Sequence, residues 1–555
     1  MSTPTSKVPS SVLTLEETVA FTKPVVGPRE ELPLSTDILI IGGGVVGLTA
    51  LNLLGALNVN CALVERNLIT SDAPKAIAID DEFIRLLSNL GHEDRVLSSA
   101  SKPFGIHFKS RKSRPLITVK AFHTLNGFGN RVAISQPVLE KILLEHRSKS
   151  TASVRFGVSF ISLTQTGSGV MVCLHDENCH KHMIHAKYVL ACDGSNSSVR
   201  QMLNITFKGR RIDEPHLVID LAEFPDLTPA SRFFCSPLRP LNSIPGPFGG
   251  RRLEFMLKPG DDREWLLQDE GIRWLVDNFS PYSGIELKII RRAIYGFSER
   301  IADKFQVGRV FLLGDAAHVM PPFGGQGLNT GARDVANLCW KIDAVLSESI
   351  KPTALESYDA ERRPQVSQIV KYSVNIGRLT NINSNLAALL RDRIIQFLYL
   401  IPNVRRYLSE MKYMPRPSIS QGLLLDRTKD TSGIVGKVFP RLHGLDIENK
   451  HTILDHWVGF RHALVFINAE PSELLETLNI EKNYTQMFVA NIVTKPGLVL
   501  GRSTLLCDDM NFSSFLNLHT GHCLLVRPDK YVAARTTNAK SKDILLSYGS
   551  LIGHM

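Results

Sequence analysis

Gly42, Gly44 and Gly47 stand in Gly-x-Gly-x-x-Gly spacing, and Glu65 lies 23 residues past the first of them. Glycines there let backbone amides close on a pyrophosphate, and an acid at that distance can hold adenosine ribose hydroxyls. A carboxylate in that place repels a 2′-phosphate, so FAD or NAD fits better than NADP. A second group follows far downstream: Gly314, Asp315, Pro322, Gly324, Gly325, Gly327, Leu328, Asn329 and Gly331. Each glycine costs chain entropy on ordering, so this density points to a loop that must approach a ligand closely. Between the two stands Cys192-Asp193-Gly194, followed by Arg200. Asp193 alone reads equally as a helix cap or as part of a site.

The elements that must position these groups are legible as periodicity. The apolar run 37–41 predicts a buried strand, and Leu48, Ala50, Leu51, Leu54 and Leu57 predict the helix after it. A second strand over 59–64 delivers Glu65. The run 310–313 predicts the strand before the second glycine loop, with a helix opening at Asn329. Gln136 and Pro137 open another helix, and residues 153–175 read as two strands about the turn Gly167-Ser168-Gly169. A third, over 186–191, ends at Asp193. Residues 101–130 are rich in glycine and aromatics and suit a layer covering the substrate. Short alternating runs over 205–300 predict an antiparallel sheet of different character from the first domain.

The chain of 555 residues with 43% apolar content is long enough for two to four domains. Its formal charge of +10 is read as a solvated basic surface, with steering of an anionic substrate as the sharper alternative. Basic residues do not interleave with aromatics as nucleic-acid binding requires, so no nucleic-acid partner is expected. The eight cysteines form no Cys-x-x-Cys pair, which argues against zinc or any other metal site and for reduced thiols in a cytoplasmic protein. The start of the chain has no secretory pattern. The apolar stretch 386–400 is interrupted by Arg391, Asp392 and Arg393, so it predicts an amphipathic helix packed on the body and no membrane span.

With Gly42, Gly44, Gly47 and Glu65, Cys192-Asp193-Gly194 with Arg200, and Gly314-Asp315-Ala316-Ala317-His318 in this order, the chain resembles the single-component FAD-dependent aromatic hydroxylases, the family of para-hydroxybenzoate and phenol hydroxylases. The resemblance covers roughly residues 36–375. Arg251-Arg252-Leu253-Glu254-Phe255-Met256-Leu257 and Pro322-Phe323-Gly324-Gly325-Gln326-Gly327 look most like the 3-hydroxyphenylpropionate hydroxylase type. The tail around Val526-Arg527-Pro528-Asp529 is similar to the thioredoxin-like domain of phenol hydroxylases, without its Cys-x-x-Cys.

The resemblance implies an α/β fold: a Rossmann-like FAD-binding domain, an inserted antiparallel substrate domain and a C-terminal thioredoxin-like domain. The expected layout is a flexible extension over 1–35, FAD-binding segments over 36–204 and 301–410, the substrate sheet over 205–300, a linker over 411–450 and the last domain over 451–555. By the same resemblance Gly42, Gly44 and Gly47 cradle the FAD pyrophosphate, Glu65 binds ribose, and Lys75, Gln136 and Asp193 contact the cofactor. Asp315 binds the ribityl chain, Pro322 lies beside the flavin ring, and Gly327, Leu328 and Asn329 face its pyrimidine edge. Lys75 replaces a frequent arginine, and Ile77 stands where phenol hydroxylases carry an acid, which leaves the phenol-deprotonating residue unnamed.

The implied chemistry is reduction of FAD by NADPH or NADH, reaction with O2 to a flavin hydroperoxide, and hydroxylation of a phenolic ring. Tyr295 is the candidate substrate contact. His318 is expected to orient its loop, and Arg291 and Arg292 to line the outer face of a strand. A homodimer is the expected assembly. The alternatives are a flavin-dependent oxidase or epoxidase acting on a polyketide-like substrate, and a flavoprotein that only binds or senses.

Overall fold

The computed structural model describes residues 12–72, 76–148, 150–425, 430–470, 473, 487–494, 504–507 and 509–553. Strands Gln306–Val307, Val310–Leu312, Lys181–Ala191, Ser35–Ile41, Cys61–Glu65 and Ala152–Phe156 lie side by side in that order. The pairs from Val310–Leu312 to Ala152–Phe156 are all parallel. A parallel sheet needs cover on both faces, and its strands accordingly read as unbroken apolar runs. Ile38, Leu39 and Ile40 are fully buried, as are Leu48, Leu51 and Leu54 of helix Val45–Ala56. Each such side chain contributes about 1.5–3 kcal/mol.

A second sheet of eight strands runs His318–Val319, Lys288–Ala302, Phe207–Ala222, Arg251–Met256, Leu241–Pro245, Ala230–Cys235, Gly105–Ser110 and Pro115–Val119. Residues 105–119 are thus built into the sheet predicted over 205–300, joined by parallel pairing of Gly105–Ser110 with Ala230–Cys235. Period-two alternation divides its faces. Leu217, Ile219, Leu253 and Phe255 go to the back, against Leu266, Ile272, Leu275 and Val276. His216, Asp220, Arg252, Glu254 and Asn242 go to the front.

The last unit is a sheet ordered His451–Ile453, His443–Leu445, Thr504–Leu506, Met487–Val493, His462–Ile467, His522–Val526 and Val532–Thr537. It begins inside the stretch expected as linker. It is tied to the rest through Glu361, whose carboxylate accepts from Arg527 at 2.8 and 2.9 Å, Lys341 at 2.8 Å and Asn337 at 2.6 Å. Arg85 and Asp455 form a second buried bidentate pair at 2.7 Å.

Two expectations are corrected. Of the extension expected over 1–35, residues 1–11 lie outside the described residues, and 12–35 is not loose: Leu15–Phe21 is a helix with a complete capping box from Thr14 and Glu17, and Phe21 packs edge-on against Phe248 at 4.9 Å. Helix Asn385–Leu400 packs Ala388, Arg391, Ile395 and Tyr399 against the body but turns an equally apolar face to solvent. Among the described residues no helix is long and apolar enough to cross a membrane.

Candidate active site

Strand Ser35–Ile41 ends at Gly42, whose φ of +112° and close approach to Cys192 exclude a side chain: a Cβ would lie 2.3 Å from the Cys192 carbonyl oxygen. A Cβ on Gly47 would meet the Gly42 oxygen at 2.0 Å. Gly44 differs, because a Cβ there would meet nothing within 4 Å. It caps helix Val45–Ala56 without a side-chain hydrogen bond, which leaves the first-turn amides for an anion in the open space before them. Glu65 closes the same end. One carboxylate oxygen accepts from the Gly43 N–H at 2.7 Å, the other from Asn67 Nδ2 at 2.7 Å and the Asn67 N–H at 2.9 Å.

Gly42, Gly43, Gly44, Glu65 and Asn67 line a cavity of about 770 Å³ that also takes in Asp193 and Gln136. Asp193 holds a helix-start amide and also lines this cavity. One oxygen accepts from the Val199 N–H at 3.2 Å, while the other is buried with no hydrogen-bond partner among the described residues. Burial holds its carboxyl above the usual range. Gln136 accepts from the Ala76 N–H at 3.2 Å and donates to Glu140 at 2.9 Å.

A second cavity, about 310 Å³, shares Gly44, Gln136, Cys192 and Gly194 with the first, so the two form one cleft. Asp315, Pro322, Gly324, Gly325, Gly327 and Leu328 make one wall. The loop is held from behind by Asp334, which is buried and accepts from the Gly314 N–H at 3.0 Å, His318 Nε2 at 2.7 Å and Arg362 Nε at 2.8 Å. His318 is held by this contact through Nε2, while its Nδ1 is buried with no partner among the described residues. Asn329 lies behind the wall as well: it accepts from the Asp80 N–H at 2.9 Å and donates to the Gly325 carbonyl at 2.7 Å.

The front of the second sheet supplies the opposite wall through Phe233, Asn242, Arg252 and Glu254, and Phe104 and Arg131 add to the lining. Arg252 is held by Asp220 at 2.7 and 3.1 Å. Glu254 accepts from Asn242 Nδ2 at 3.1 Å, and burial raises its carboxyl above the usual range despite nearby Arg252. Arg131 is buried, makes no ion pair among the described residues, and its Nε has no partner; Nη2 reaches only Met411 Sδ at 3.9 Å. A buried guanidinium without a counter-charge is costly unless a ligand supplies one.

Tyr295 stands on the front of the sheet, opposite His216, but does not line the cavity; its hydroxyl is buried without a partner among the described residues, and burial pushes it up to about 12. Arg292 faces outward onto Asp269 at 2.5 Å, whereas Arg291 is half-buried on the other side and donates to the Thr22 carbonyl at 3.3 Å. Lys75 lies outside the described residues. Sequence reasoning missed Arg131, Asn242 and Glu254. Alternation in Arg252-Leu253-Glu254 would have put two charges on one face of a strand; Arg131 carried no signal.

A family model described as an FAD binding domain matches residues 35–373. The 3-(3-hydroxy-phenyl)propionate/3-hydroxycinnamic acid hydroxylase of Klebsiella pneumoniae is 31% identical over 510 residues, covering 90% of this chain and 92% of that protein. Its Escherichia coli K12 namesake is 29% identical over 520 residues, with the same coverage. The chain belongs to the FAD-dependent aromatic hydroxylases.

This hydroxylase shares its fold with the flavin-dependent monooxygenase PieE, solved with FAD and substrate (TM-score 0.76, 20% identity, 95% of this chain and 100% of that one). Aklavinone-11 hydroxylase, solved with FAD and aklavinone, gives a TM-score of 0.74 at 20% identity, covering 94% of this chain and 100% of that one. The hydroxylase cleft fits FAD on its own features: glycines too crowded for a side chain, open space before the uncapped amides, and an acid seated on the loop. It is a monooxygenase that uses FAD, with NAD(P)H as reductant, to hydroxylate an aromatic ring.

Proposed function

We propose that the substrate is a small phenol bearing a carboxylate, hydroxylated on its ring. The observation that carries this reading is Arg131, a buried and unpaired guanidinium in the lining of the cavity. The acids named for the relatives fit it, because a carboxylate offers the planar, two-point acceptor that a guanidinium matches. Size points the same way. Ligand pockets span roughly 300–1,000 Å³, and a cavity of about 310 Å³ that must also admit part of a flavin leaves room for one ring. That weighs against a polyketide-sized substrate and the oxidase or epoxidase alternative.

In this reading Gly42, Gly44 and Gly47 hold the pyrophosphate, Glu65 the ribose, and Gln136 and Asp193 the middle of the cofactor. Asp315 takes the ribityl chain. Pro322 lies beside the ring, and the helix start at Gly327, Leu328 and Asn329 favours negative charge at its pyrimidine edge. Bound FAD supplies electron transfer from the nicotinamide and activation of O2. The chain's own residues do the rest: Arg131 fixes the substrate, the apolar rings of Phe104 and Phe233 exclude water, and Glu254 takes the phenolic proton. A carboxyl lifted by burial and oriented by Asn242 suits that transfer. Tyr295, on the same face of the sheet but outside the lining, is a positioning residue beside this wall.

The C-terminal unit is read as thioredoxin-like. Strand His462–Ile467 lies parallel to Met487–Val493 and antiparallel to His522–Val526, which pairs with Val532–Thr537 before a final helix, Ser541–Ile552. Its cysteines are free among the described residues, which suits a structural role. The compartment proposed is the cytoplasm.

The test is NADPH and NADH oxidation against paired substrates, a phenylpropanoid acid and its methyl ester, with products identified by mass. The acid should gain one oxygen and turn over far better than the ester. Equal turnover of acid and ester would remove Arg131 from recognition, and faster turnover of polyketide aromatics would favour the larger substrate.

A further inference from the structure

Among the described residues, the outward face of helix Asn385–Leu400 is the largest run of uncovered apolar side chains on one element. Leu386 is 77% exposed, Phe397 67% and Leu400 76%; Leu389, Leu390 and Ile394 fill the stripe between them. At 1.5 Å per residue the stripe is about 21 Å long. Helix Pro402–Ser409 follows directly and carries Arg405, Arg406 and Tyr407 on its surface. A surface of this kind calls for a cover.

Charge decides which cover fits. The two carboxylates of this region are already engaged: Asp392 with Arg391 at 2.8 Å and Glu410 with Lys412 at 2.8 Å. Arg393, Arg405, Arg406 and Arg416 make no ion pair among the described residues. The surface is therefore an apolar stripe with a surplus of unpaired arginines. A second copy of the chain would answer it poorly. Residue 393 is the midpoint between 386 and 400, so a two-fold axis through the stripe would set Arg393 against its own copy, with Asp392 already engaged by Arg391 and no other carboxylate on the helix to receive either. A bilayer surface with anionic head groups supplies what is missing: acyl chains for the leucines and phenylalanine, phosphates and carboxylates for the arginines.

We propose that helices Asn385–Leu400 and Pro402–Ser409 form an interfacial anchor that docks the enzyme on an anionic lipid bilayer. The anchor lies in the interface without crossing it. Its inner face belongs to the substrate side of the molecule, since Ile395 and Tyr399 pack into the cluster that holds Phe233 and Met411, and Met411 touches Arg131. One helix thereby meets lipid on one side and backs the cavity on the other, where an aromatic substrate partitioned into the bilayer would arrive.

The experiment is flotation of the full FAD-loaded chain with vesicles of phosphatidylcholine alone or mixed with phosphatidylserine, at low and high salt. The unaltered protein should float with the mixed vesicles, partition at least tenfold less onto phosphatidylcholine, and be released by salt. The double substitution Leu389→Glu/Phe397→Glu, and separately Arg405→Glu/Arg406→Glu, should each reduce binding at least tenfold. Both should keep FAD absorbance and turnover of a water-soluble substrate unchanged. The salt and lipid dependence of the unaltered protein tests the proposal even where a variant folds poorly. Failure to float with either vesicle overturns it. So does a lipid-free dimer in analytical ultracentrifugation that Leu389→Glu/Phe397→Glu converts to monomer, which would assign the face to a second copy.

Discussion

Two buried charge clusters in this molecule are completed to different degrees. Around Glu361 every charge has its partner: Arg527, Lys341 and Asn337 converge on one carboxylate, and Asp529 takes the remainder of Arg527 at 2.6 and 3.0 Å. In the cavity beside the glycine loop, Arg131 is buried with an unpartnered Nε, and Glu254 has been lifted toward its neutral form. The first cluster joins the C-terminal unit to helices Gly327–Leu346 and Ser357–Thr380 and has nothing left to bind. The second is unfinished in the way a binding site must be. Completeness of pairing, more than burial or charge count, separates a structural cluster from a functional one.

The sharpest way to break this contrast is to remove the carboxylate of the finished cluster. Glu361→Leu strands Lys341 and part of Arg527, and should cost about 3–5 kcal/mol in denaturant unfolding. An unchanged midpoint would show that the cluster holds nothing together.

Acid titration separates the clusters by pH. His216, buried between Phe297 and Phe323, is pulled down by burial to about 4. Between the ordinary histidine value near 6.5 and about 4, the unfolded chain binds a proton that the folded chain refuses, so stability falls as pH drops through that window. The loss is on the order of 3 kcal/mol when complete. For Glu361 burial acts upward, but Arg527 and Lys341 more than offset it and hold the carboxyl well below its usual range. Its contribution is present above the ordinary glutamate value and fades only below it, at more acid pH than His216. His216→Phe should reduce the slope of the upper part of the curve, to which buried His92 and His519 also contribute, and leave the lower part; a change in both would mean the two regions unfold through a shared group.

Arg131→Met tests the unfinished cluster. It should lower kcat/KM for the carboxylate substrate by roughly a hundredfold, about 2–3 kcal/mol, while the ester is little affected. Stability should hold or rise, because no buried ionic partner is abandoned and a costly unpaired guanidinium is removed. A large drop in stability with unchanged kinetics would reverse the assignment. The smallest effect expected is at the far end of the cleft, where Glu65→Ala should weaken FAD binding by about tenfold in a fluorescence titration, near 1.4 kcal/mol. Unchanged affinity would remove Glu65 from the ribose.

What could be read from the sequence follows the range of the interactions. Gly42 to Glu65 was legible because strand, turn, helix and acid are contiguous, and each imposes its own periodicity. The capping box at Thr14 and Glu17 was equally local, and the Ser, Thr and Pro content around it hid a helix that the structure describes. Arg131 was not legible, since its meaning depends on Phe104, Phe233 and Met411 being brought to it by chain segments far apart. The strand Gly105–Ser110 likewise finds its partner, Ala230–Cys235, across more than a hundred residues of intervening chain. In 386–400 the pattern announced an amphipathic helix, but the apolar residues fall on both sides, and only packing distinguishes the side that is covered.

Helix Gly327–Leu346 starts at the proposed flavin wall and carries Asp334, Asn337 and Lys341 to two buried clusters further along its 20 residues. Each residue added to a helix turns everything beyond it by about 100° and advances it by 1.5 Å. A one-residue insertion after Asn329 would swing Asp334 away from Gly314 and His318, and Lys341 away from Glu361, in a single step. This rod should therefore drift in composition across its lineage while its length stays fixed, the register of one helix acting as the common gauge of two otherwise separate parts of the enzyme.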